Sequence, residues 1–80
     1  MSDSTEHGLD YEQLHLVKMA NQIASNVPNR DDIAGQVANH LRTFWTPVMR
    51  ADISEIARQH PETLAVQVHD ALDQLQTVEA

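Results

Sequence analysis

Three features of this 80-residue chain predict an all-α fold, a small bundle of about four short helices behind a disordered acidic N-terminal tail. Apolar residues recur at steps of three and four along most of its length, the spacing of one helix face. Capping residues and prolines divide that pattern into segments of helical length. Strand-like alternation between hairpin turns does not occur.

Residues 1–8 read as a flexible acidic tail ending at Gly8, and residues 9–80 as a single helical domain. Asp10 is placed to cap the first helix, with Gln13 at capping-box spacing. Leu16, Ala20, Ile23 and Val27 form its stripe, widened by Leu14, Val17 and Ala24. Pro28 disfavours helical geometry at Val27, so the helix should end near Asn26.

Asn29 is expected to cap a second helix, with Asp31 and Asp32 in its positive first turn. Its stripe is Ile33, Val37, Leu41, Phe44 and Trp45. Gly35 interrupts it at a cost of about 1 kcal/mol relative to Ala. It either admits a close helix or is simply tolerated. Pro47 restricts Thr46, ends this helix near Trp45 and suits the first turn of a third helix capped by Thr46. Met49, Ile53, Ile56 and Ala57 line that helix. Pro61 is expected to open a fourth, with Leu64, Val68, Leu72 and Leu75 on one face, Ala71 beside them, and fraying from residue 77.

The net charge of −7 lies mostly at the two ends, and the middle of the chain is nearly neutral. That distribution argues against nucleic acid and against an anionic membrane, both of which call for clustered Lys and Arg. No apolar run approaches the length of a membrane span, and MSDSTEHG lacks the features of a signal peptide, so the expected location is cytoplasmic. Cys is absent, which removes disulfides, iron–sulfur ligation and thiolate zinc from this chain.

Catalytic parts are scarce. No GxSxG is present, and two glycines cannot build a phosphate loop. The five His residues, at 7, 15, 40, 60 and 69, are scattered. His69 and Asp73 share a helix face and read as a surface pair rather than a metal site. Asp31–Asp32 reads as helix-start charge. The expectation is therefore no catalytic, cofactor-binding or metal-binding residue in this chain.

The segment HLRTFWTPVMR, residues 40–50, holds the only Phe, the only Trp and two of the five basic residues. Phe44, in phase with Val37 and Leu41, is expected in the core. Trp45 stands between core and interface, because Trp and Arg are enriched among residues that carry binding energy. Arg50 sits where the helix dipole disfavours a cation, which suggests a specific acceptor, internal or on a partner.

LVKMANQIA (residues 16–24) and VANHLRTFWTPVMRADI (residues 37–53) together resemble the delta subunit of NAD-dependent, molybdenum-containing formate dehydrogenases. The shared pattern is Leu16, Val17, Met19, Ala20, Asn21, Gln22 and Ile23, followed by His40, Leu41, Arg42, Phe44, Trp45, Pro47, Met49 and Arg50. The resemblance implies a small accessory subunit without a cofactor of its own. Larger subunits would carry molybdopterin, iron–sulfur clusters, flavin and the NAD site, and would oxidise formate to carbon dioxide. It implies a role in assembly or stability of that complex. Arg42, Trp45, Pro47, Met49 and Arg50 are then expected to meet a larger subunit. Asn21 and Gln22 either stay exposed, bond to partner backbone or brace the Trp45 junction. Two other readings remain: a free-standing regulatory or self-associating helical protein, with a homo-oligomer possible, and an enzyme in its own right.

Overall fold

The structure, a computed structural model, describes residues 9–79; the acidic tail at 1–8 and Ala80 lie outside the described residues. Four α-helices follow one another: α1 (Tyr11–Asn26), α2 (Ile33–Phe44), α3 (Pro47–Gln59) and α4 (Val66–Glu79). Short 3-10 turns at Arg30–Asp32 and Pro61–Thr63 precede α2 and α4. The described residues contain no strand, so the all-α class holds.

Local chemistry sets most boundaries. Asp10 Oδ1 accepts from the Gln13 N–H at 2.8 Å, and Gln13 Oε1 accepts from the Asp10 N–H at 3.0 Å, closing the capping box. Thr46 Oγ1 accepts from the Met49 N–H at 3.1 Å, and Pro47 occupies the first turn of α3. At the other end of α1, the Arg30 guanidinium reaches back to the carbonyls of Ala24, Ser25 and Val27 at 3.1–3.3 Å. A cation there meets the negative end of the helix.

Two starts differ from the sequence expectation. Asn29 caps the 3-10 turn, and Asp32 is the N-cap of α2, its Oδ1 accepting from the Gly35 N–H at 3.0 Å. A Cβ at Gly35 would collide with that carboxylate, so the glycine makes room for the cap and not for another helix. Likewise Pro61 opens only the 3-10 turn. Leu64 is extended yet buried, and α4 begins at Val66.

The core joins Leu9, Val17, Ala20 and Ala24 to Val37, Ala38, Leu41 and Trp45, with Ile53, Ile56, Leu64, Val68, Ala71, Leu72 and Leu75 from the second half. The most extensive helix contact is α2 on α4, and α1 lies against both α2 and α3. Small residues are among the most deeply buried on these helices, Ala20 and Ala24 on α1, Ala38 on α2 and Ala71 on α4. On α1 the buried line is Val17–Ala20–Ala24, and Leu16, Ile23 and Val27 are only partly buried beside it. On α2 it is Val37–Ala38–Leu41, continued by Trp45. Helices packed at alanine approach closely, and the larger residues of a wide stripe are displaced to its edges.

Phe44 is therefore not a core residue: it is 70% exposed, whereas Trp45 is 5% exposed. The reason lies in the phase of α2. With the contact centred on Val37, Ala38 and Leu41, Phe44 falls on the outer edge. Trp45, in extended geometry just past the helix end, turns inward.

Candidate functional site

The edge residues displaced from the core form a groove. Met19 and Ile23 of α1 and Val27 just past its end face His40 and Trp45 of the α2 end across a hollow of about 450 Å³. Gln22, Asn26 and Pro28 complete its lining. The hollow is open on one side and mostly apolar, and none of its lining residues is Asp, Glu, Lys or Arg. A second hollow, of about 380 Å³, adjoins it through the shared residues Val27, Pro28 and His40 and reaches Phe44. The Phe44 ring lies 4.8 Å from the His40 ring, centroid to centroid, tilted by 45°. One aromatic thus forms part of the floor and another stands on the rim.

The two segments quoted above, LVKMANQIA and VANHLRTFWTPVMRADI, meet here. Met19, Gln22 and Ile23 come from the first, His40 and Trp45 from the second. α1 and α2 hold them in place: Arg30 fixes the end of α1, and Asp32 with Asn29 fixes the start of α2.

Asn21 lies on another side of α1 from Gln22. Its Nδ2–H donates to the Thr63 carbonyl at 3.0 Å, and its Oδ1 accepts from the Ala65 N–H at 2.9 Å. The amide is thereby paired with the main chain 42 and 44 residues away. It occupies the carbonyl of Thr63 and the N–H of Ala65, which explains why α4 starts only at Val66. The Ala65 carbonyl then begins the helix, accepting from Val68 N–H at 2.9 Å and His69 N–H at 3.3 Å. Asn21 thus braces the link from α3 to α4 and not the Trp45 junction. His69 supports the same link through a ring nitrogen 2.9 Å from the Pro61 carbonyl.

The other residues singled out from sequence do not converge on one surface. Arg42 is exposed, and its Nη2–H donates to Asn39 Oδ1 at 3.1 Å. Pro47 and Arg50 line a hollow of about 190 Å³ beside Leu75 and Gln76. Met49 lines a different hollow, of about 430 Å³, with Asp10, Glu12 and Asp52 around it. Only Gln22 and Trp45 of the seven share the groove. Sequence reasoning passed over Met19, Ile23 and Phe44 as groove residues. The signal for them was the width of the α1 and α2 stripes, which hold more large apolar side chains than one contact can bury.

Among the described residues, no group of three or more His, Asp or Glu side chains is placed to hold a metal ion. No helix among them is long and apolar enough to cross a membrane.

No curated protein and no solved structure matches this chain. A family model does: the NADH-dependent formate dehydrogenase delta subunit, FdsD, over residues 15–72. The chain belongs to that family.

Proposed function

We propose that this chain is a non-catalytic accessory subunit of a cytoplasmic NAD-dependent formate dehydrogenase, and that it supports assembly or stability of the complex by binding a larger subunit. Membership of the NADH-dependent formate dehydrogenase delta-subunit family supports this reading. The accessory role is our reading. Formate oxidation and the molybdopterin, iron–sulfur, flavin and NAD chemistry then belong to the larger subunits.

The observation that carries this reading is the groove beside Phe44. A small chain leaves its only Phe 70% exposed, lining a hollow of mixed polarity that adjoins the mostly apolar one over Trp45. An exposed large aromatic beside a concave apolar surface is the arrangement of a binding anchor. Arg42 extends the same helix as a polar contact, and Pro47, Met49 and Arg50 lie beyond it on α3. Trp45 contributes as the floor of the groove, and Asn21 contributes by holding α1 in position.

The test is a native pull-down with tagged chain from its source cells grown with formate and molybdate, assayed for formate-dependent NAD reduction. Wild type should retain activity and Phe44→Ser should lose most of it. Equal activity with both would remove Phe44 from the interface. No activity and no large partner with either would favour a free-standing, self-associating helical protein.

A further inference from the structure

Resting on the subunit reading above, the geometry points to the occupant of the α1–α2 groove: an uncharged apolar segment of a larger subunit. Charge decides this. The chain carries 12 acidic and five basic residues, yet none lines the hollow over Trp45. In the adjoining hollow the one charged lining residue is Asp32, whose carboxylate already caps Gly35. Three other hollows of the molecule each include charged side chains.

An acidic or basic side chain entering the first hollow would lose its hydration and meet no Asp, Glu, Lys or Arg, His40 being the one titratable group there. An apolar one would release water from the half-buried Met19, Ile23 and Val27 and lose nothing comparable. The polar rim fits the same occupant. The amides of Gln22 and Asn26 both donate and accept, which suits the N–H and C=O groups of a partner main chain. A second copy is a poorer occupant, because it would bring a net charge of −7 against −7.

Inserting charge of each sign at the rim tests this. Gln22 is exposed, so Gln22→Glu and Gln22→Lys should keep the helical circular dichroism of wild type. Binding of each purified chain to the remaining purified subunits would be titrated, with Gln74→Glu and Gln74→Lys on exposed α4 surface as controls. Both Gln22 variants should weaken binding by about tenfold or more, irrespective of sign, because either buries an unpaired charge. Loss with one sign and gain with the other would overturn the inference in favour of a charged segment. Unchanged binding by both would remove the groove from the interface while leaving the subunit reading intact. A dimer of the isolated chain that both variants abolish, with subunit binding unchanged, would make a second copy the occupant. Failure of wild type to bind would overturn the subunit reading, and the inference with it.

Discussion

Asn21 and Gln22 are neighbours in sequence with similar side chains, and they serve opposite sides of α1. Asn21 is partly buried, with its carbonyl and amino group both bonded to the α3–α4 link. Gln22 is exposed at the rim of the groove. Successive helix residues diverge by about 100°, so one short motif can reach inward and outward at once. The Asn21 side is closed and completed within the chain. The Gln22 side is concave and apolar, and its rim holds neutral hydrogen-bonding groups. A motif of this kind is consistent with two requirements, a fixed fold and a surface for another molecule.

The strongest attempt to break that contrast uses Trp45, which belongs to the core and to the groove. Trp45→Ala should cost about 3–5 kcal/mol of stability, the range for a large core aromatic, and show as a large fall in the urea midpoint of the isolated chain. A midpoint near wild type would make Trp45 a surface residue and undo the assignment of Phe44 to the rim.

Next comes the closed side. Asn21→Ala leaves the Thr63 carbonyl and the Ala65 N–H without their partner, at about 1–3 kcal/mol. The urea midpoint should fall, and amide exchange at Ala65 should quicken. If instead only subunit binding changes, Asn21 is an interface residue and the two sides are alike.

A smaller effect is expected at Arg30→Gln, which removes the cation from three carbonyls at the end of α1. The loss should be about 0.5–1 kcal/mol and should shrink in high salt, as measured by denaturation at two ionic strengths. Because Val27 forms both an Arg30 contact and a groove wall, this variant sharpens the comparison by loosening the open side alone.

The smallest change in stability belongs to Phe44→Ser. An exposed ring contributes little to folding, so thermal unfolding should move by no more than about 0.5 kcal/mol. Its effect should appear in association with the larger subunits. A large loss of stability would return Phe44 to the core.

Much of the fold was legible in the sequence. The Asp10–Gln13 box, Pro28, and the Thr46–Pro47 start are local devices, acting within about four residues, and each sits where the pattern placed it. The candidate site was legible in part. Trp45 and Gln22 reach the groove, whereas Asn21, Met49 and Arg50 do not line it. Phe44 was misread because its spacing from Leu41 and Val37 is helical, and spacing alone does not reveal which edge of a wide stripe the next helix covers.

By itself, the sequence determined that the chain forms helices and where α1 and α2 end and α3 begins, because caps and prolines act on their own turn. It also carried the two segments whose resemblance pointed to the family, both within the matched residues 15–72. Tertiary structure alone decided the phase of each stripe, by packing α2 on α4 and burying Val37, Ala38 and Leu41 while leaving Phe44 exposed. It likewise decided the start of α4, since Asn21 reaches across more than forty residues to occupy the groups that would have extended the helix. Long-range packing and hydrogen bonding of this sort have no counterpart in local spacing, and the groove is what they leave open.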